Sequence, residues 1–128
     1  MTYILDTSVA IHMRDSDPVI MERIASLDAT ILLSIISRVE LEGGVYRDPV
    51  EANGRRLRLD LMLTALPVLD FDRGAADAYR DIVEAIGYSR RKILDRMIAA
   101  QALAHRATLV TLNAADFREV PGLSLLAW

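Results

Sequence analysis

The chain has 128 residues, 52% hydrophobic and 26% charged, which suits one folded domain over residues 1–128 and excludes a disordered chain. It holds no cysteine, so disulfides, thiol catalysis and cysteine-based zinc sites are ruled out. A net charge of −3 weighs against indiscriminate nucleic-acid binding; the opening Met1–Asp6 meets an acid too early for a signal peptide, and no apolar run approaches the ~18 residues of a membrane span, so a cytoplasmic, membrane-free protein is expected.

In chain order, Tyr3 to Leu5 predicts a strand, and Asp6-Thr7-Ser8 a turn and N-cap leading to a short helix through Met13. Asp17-Pro18 starts a second helix, with Val19, Ile20, Ile24 and Leu27 at helical spacing. Thr30 to Leu33 is a second strand, followed by a helix from Ser34 to Glu42 that Gly43-Gly44 is expected to end. A long arginine-rich helix is predicted from about Pro49 to Thr64, then a short strand from Pro67 to Leu69. Asp72 to Ile86 is a helix stopped by Gly87, and Ile93 to His105 another with Ile93, Met97, Ile98 and Leu103 for the core. Thr108 to Thr111 is a clear strand, and Leu123 to Leu126 a candidate last one. Strands separated by helices of this length imply right-handed crossovers. The expected fold is α/β: an α/β/α sandwich around a mainly parallel sheet of four to five strands.

Four acids fall where such a sheet brings them together. Asp6 closes the first strand, Glu40 follows the second, Asp95 opens an alanine-rich helix, and Asp116 lies just past the strand that ends at Thr111. Acids at the carboxyl ends of strands, or in the first turns of the next helices, converge on one edge of a parallel sheet. Like charges held close repel, and a divalent cation neutralises them. That pattern points to a magnesium or manganese site and to phosphate chemistry.

Each acid also has a plainer role open to it. Asp6 is a candidate N-cap. Ser37-Arg38-Val39-Glu40 fits a capping box if the helix starts at Ser37, and leaves Glu40 mid-helix if it starts at Ser34. Asp95 suits a helix first turn, and Asp116 and Asn113 suit turns. Asp70 and Asp72 are reserve candidates, Asp72 being the better N-cap. Of the basic residues, all but Lys92 are arginine, in clusters at Arg55, Arg56 and Arg58 and at Arg90, Arg91 and Lys92. Arginine's planar fork suits phosphate. The second cluster precedes the Asp95 helix, so Arg90, Arg91 and Lys92, with Arg96, are the stronger candidates for contacts to a phosphate-bearing substrate.

The ordered segments Ile4-Leu5-Asp6-Thr7-Ser8, Ser34 through Glu40-Leu41-Glu42-Gly43, Ile93-Leu94-Asp95-Arg96-Met97-Ile98-Ala99-Ala100, and Leu109-Val110-Thr111-Leu112-Asn113 with Asp116-Phe117 cover nearly the whole chain. Together they resemble the PIN-domain ribonucleases, more closely the VapC-type toxins of toxin–antitoxin pairs. The resemblance implies endonucleolytic RNA cleavage at an acidic pocket for Mg²⁺ or Mn²⁺. It makes Asp6, Glu40, Asp95 and Asp116 the catalytic acids, with Asp6, Asp95 and Asp116 on the metal and Glu40 orienting the attacking water. It gives Thr7, Ser8, Thr111 and Asn113 as the small polar residues lining the pocket. A VapB-type antitoxin and a homodimer are implied partners. Two departures stand out: Ser8 where many relatives carry Asn, and Arg96 directly after Asp95.

Two other readings remain. An Asp-dependent phosphatase also places an acid after its first strand, but wants a second Asp two residues on, where this chain has Ser8. A PIN-like domain that binds partners without catalysis has no need of all four acids.

Overall fold

The computed structural model describes residues 1–128 as a five-stranded sheet with helices on both faces. The strands are β1 (Thr2–Leu5), β2 (Thr30–Ser34), β3 (Val68–Leu69), β4 (Thr108–Thr111) and β5 (Ser124–Ala127). The helices are α1 (Thr7–Arg14), α2 (Pro18–Ser26), α3 (Ile35–Arg47), α4 (Ala52–Ala65), α5 (Arg73–Ile86) and α6 (Ile93–Ala104), with a single 3₁₀ turn at Ala114–Asp116. The sheet order is β3-β2-β1-β4-β5, and every pairing is parallel, so the sheet is wholly rather than mainly parallel.

Alternation along the strands assigns the two faces. Ile4 and Leu109 point into a core shared with Ile82 of α5 and with Ile98, Ala99, Ala100 and Ala102 of α6. The next residues, Leu5 and Val110, point the other way, against Val9, Ile20 and Ile24 of α1 and α2. Leu33 joins Ala10, Leu41, Val45, Leu59 and Met62 beneath α1, α3 and α4. Each fully buried Leu or Ile contributes roughly 1.5–3 kcal/mol through area removed from water. The buried alanines of α6 let that helix lie close against α5. Gly87, at φ 85°, ends α5 in a conformation costly for any side chain.

Two boundaries and one core assignment differ from the sequence expectation. Gly43-Gly44 does not end α3, which runs on to Arg47: Leu41 and Val45 are both buried, and packing of that face outweighs two weak helix formers. The arginine-rich helix starts at Ala52 rather than Pro49, and it buries Leu59 and Met62 while Leu57 and Leu61 face outward. Of the four core positions named on α6, Ile98 alone is fully buried, and Ile93, Met97 and Leu103 lie at its margin. No helix is long and apolar enough to cross a membrane.

The order 3-2-1-4-5 sets the site's position. The chain winds outward from β1 through β2 to β3, then crosses back to lay β4 on the other side of β1. Between β1 and β4 the winding reverses, and it is beyond the strands' carboxyl ends at such a point that open α/β sheets bind ligands. Leu5 pairs with Leu33 and with Val110. The next residues, Asp6, Ser34 and Thr111, therefore stand level along that edge.

Candidate active site

Asp6 is the pivot of the edge and is 4% exposed. It is also the N-cap of α1, as its position between strand and helix suggests. The Thr7 N–H donates to its Oδ1 at 2.8 Å, while the Ser8 and Thr111 hydroxyls each donate to its Oδ2 at 2.8 Å. Burial of a carboxylate is costly unless donors surround it, and these three also fix its direction. Ser8 Oγ in turn accepts the Leu112 N–H at 3.2 Å, and Thr111 Oγ1 accepts the Asn113 N–H at 2.9 Å. A polar chain thus joins the loop after β4 to the loop after β1.

Glu40 is brought in by α3. Ser34 caps that helix through the Ile36 N–H at 3.0 Å, so the helix starts at Ile35 and the Ser37–Glu40 capping box does not form. Glu40 therefore sits three residues after Ser37 on a face turned to Thr7. The Thr7 hydroxyl donates to Glu40 Oε1 at 2.8 Å and lies 2.8 Å from Ser37 Oγ. A hydroxyl has one proton to give; with Thr7's directed to Glu40, the buried Ser37 donates to Thr7.

Asp95 lies in the first turn of α6, and Asp116 closes the 3₁₀ turn after β4. Burial, and then the charges of Asp6, Asp116 and Glu40, push the Asp95 carboxyl up to about 6, with Lys92 opposing them. One carboxyl thus feels all three other acids. No three carboxylate or imidazole groups are drawn together closely enough to share an ion as they stand. Mutual repulsion resists such closure.

The remaining expectations divide. Thr7, Ser8 and Thr111 are all engaged with the acids, whereas Asn113 contributes its backbone N–H. Asp72 caps α5 through the Ala75 N–H and stands apart from the cluster. Arg96 is not presented to a ligand: it is 4% exposed, donating to the Gly87 carbonyl at 2.7 Å and to Glu119 at 3.0 Å. Lys92 holds the same Glu119 oxygen at 2.8 Å. Arg90 and Arg91 are exposed.

Two supporting residues escaped the sequence reading. Ser37 steadies Thr7, and the fully buried Gln101 accepts from Ser34 and donates to the Leu69 and Asp70 carbonyls at 3.2 and 3.3 Å. Gln101 so ties the ends of β2 and β3 to α6, the helix that carries Asp95. Its one sequence signal is an amide inside the otherwise apolar run Met97–Leu103.

A cluster of acids at the switch point of a parallel sheet defines a class, and comparison supplies it: residues 3–123 match the PIN domain, and the chain belongs to the PIN-domain family. It is similar over its full length to ribonuclease VapC2 of Rickettsia felis, at 30% identity and with 98% of that protein covered. Its fold matches the VapBC2 structure from Rickettsia felis bound to a DNA fragment from its promoter, with TM-score 0.88 and 29% identity over 100% of this chain and 99% of that one. A DNA-bound VapBC structure from Salmonella typhimurium gives TM-score 0.88 at 25% identity, covering 100% and 98%. VapBC-1 from nontypeable Haemophilus influenzae gives 0.83 at 25% identity, covering 100% and 98%.

Proposed function

We propose that this chain is a metal-dependent endoribonuclease of the VapC type, with Asp6, Asp95 and Asp116 as metal ligands and Glu40 as the residue that directs water. The observation that carries the reading is the Asp95 carboxyl, raised by burial and then by the charges of Asp6, Asp116 and Glu40 together. The full-length likeness to a protein named as a ribonuclease supports RNA as the substrate.

The donor set fits Mg²⁺ or Mn²⁺. It consists of hard carboxylate oxygens, which these ions prefer, with no cysteine thiolate in the chain. When bound, such an ion makes water a stronger acid and neutralises charge developing on the scissile phosphate. Asp6, aimed by three donors, is the ligand whose position is fixed in advance; Asp95 and Asp116 reach the same edge from α6 and the 3₁₀ turn. Glu40 has Oε1 held by Thr7, and its Oε2 is left to orient a water and take its proton as that water attacks phosphorus and the P–O ester bond breaks. Ser8 speaks against a phosphatase, since its hydroxyl is spent between Asp6 and the Leu112 N–H.

The same reading gives the chain a VapB-type antitoxin as partner, as in the VapBC complexes it resembles. The test is cleavage of a structured RNA by the purified chain with Mg²⁺, with Mn²⁺ and with EDTA, beside Asp95→Asn. Metal-dependent cleavage that the variant loses supports the proposal. A variant as active as wild type, or cleavage indifferent to EDTA, overturns it.

A further inference from the structure

Next to the acid cluster lies a pocket of about 390 Å³, whose wall includes Thr7, Glu40 and Asp15 together with Arg14, Gly44, Arg47 and Arg55. Two of its three arginines are free of carboxylates, unlike Arg56 and Arg96. Arg56 is tied to Glu42 and Asp60, and Arg96 to Glu119, at 2.6–3.0 Å. Arg47 and Arg55 have no carboxylate partner; Arg55 donates through Nη1 to the Gly44 carbonyl at 2.9 Å. Arg14 is 5% exposed and gives Nε and Nη2 to Asp15, leaving Nη1 on the pocket side. A Cβ at position 44 would stand 3.3 Å from that Nη1. Glycine there lets the Arg14 guanidinium lie against α3, and this explains a weak helix former inside a helix that continues past it.

We propose that this pocket is a phosphate subsite for the RNA backbone, holding a phosphate adjacent to the one cleaved; the proposal rests on the nuclease reading above. Guanidinium forks match phosphate oxygens in geometry and charge. Glu40 belongs both to the acid cluster and to this pocket, so a strand lying across it presents one phosphate to the acids and a neighbouring one to the arginines. Of the candidates favoured from sequence, Lys92 and Arg96 are held by Glu119, while Arg90 and Arg91 stay exposed.

The test is fluorescence anisotropy of a labelled 12-nucleotide poly(U) RNA with the full chain in EDTA, over a range of salt. The proteins are wild type, Arg47→Gln, Arg47→Gln/Arg55→Gln, the double lysine variant at the same positions, and Arg80→Gln as a remote control. Each lost phosphate contact should lower the salt slope by about 0.7 and the double variant should bind roughly 10-fold more weakly at low salt. Lysine should restore part of the affinity, and Arg80→Gln should change nothing. Arg47 is exposed, and its single variant guards against a folding defect in the double one. Wild-type binding matched by both glutamine variants would overturn the subsite while leaving the nuclease intact. Failure of wild type to bind would likewise overturn the subsite, while the nuclease reading stands or falls on the cleavage test above.

Discussion

Thr111 donates its hydroxyl to Asp6 Oδ2 at 2.8 Å, and so joins the ends of β1 and β4 across 105 positions of chain. The contact exists because parallel pairing of Leu5 with Val110 places the two residues side by side at the switch point. Its donor is buried and its acceptor is a carboxylate, the kind of hydrogen bond worth more than the average. Thr111→Val keeps the shape and removes the donor. We expect a loss of about 1–2 kcal/mol in urea unfolding, together with lower metal affinity as Asp6 loses one of its three constraints. Unchanged stability and metal binding would show that Thr7 and Ser8 position Asp6 unaided.

Arg96 has a structural role, and its variants should show it. Arg96→Ala leaves the Gly87 carbonyl without its donor and opens space beneath α6, which should cost on the order of 2 kcal/mol. Arg90→Ala and Arg91→Ala, at exposed positions, should stay within about 0.5 kcal/mol of wild type. Chemical denaturation of the three variants checks this. Equal stabilities would return Arg96 to the surface role its sequence position suggests.

The two glycines of α3 should respond differently to alanine. Nothing lies within 4 Å of a Cβ at Gly43, so Gly43→Ala should raise stability by about 0.5–1 kcal/mol through helix propensity. At Gly44 the new methyl meets Arg14, and the same gain should be cancelled. Thermal melts of the pair decide it; equal gains would mean that Arg14 yields without penalty.

The raised Asp95 carboxyl makes stability depend on pH in the sense opposite to that of a salt-bridged acid. Its folded value is about 6 against an ordinary 3.8. Between those values the native state keeps a proton that the unfolded chain has released, so this group's contribution falls as pH rises through the window and stays unfavourable above it. In metal-free buffer Asp95→Asn should therefore be more stable than wild type at pH 7.5, with the difference shrinking towards pH 4. Mg²⁺ should stabilise wild type at pH 7.5 and the variant less. A difference independent of pH would mean that Asp95 does not feel its neighbours.

The sheet and most helices were legible because apolar periodicity and N-cap residues are local signals. Strand ends and the four acids followed from them, since a parallel sheet fixes which residues stand level. What was not legible depended on partners distant in sequence. Gly43-Gly44 reads locally as a helix stop, and it took the burial of Leu41 and Val45 to carry α3 through. Arg96 reads as a surface base beside an acid until Glu119 and Gly87 fold against it. Gln101 and Ser37 are unremarkable polar residues whose roles appear once β2, β3 and α6 are adjacent. The choice between a capping box and a mid-helix acid at Glu40 turned on a helix start three residues away.

The central claim is that Asp6, Glu40, Asp95 and Asp116 form one charged cluster suited to a divalent cation. Carboxyl-carbon NMR across a pH titration, with and without Mg²⁺, tests it most directly. The account predicts that Asp95 titrates near 6 without metal, that Asp6→Asn lowers this value, and that Mg²⁺ drives it down further. An Asp95 carboxyl titrating in the ordinary aspartate range, indifferent to Mg²⁺ and to Asp6→Asn, would contradict it.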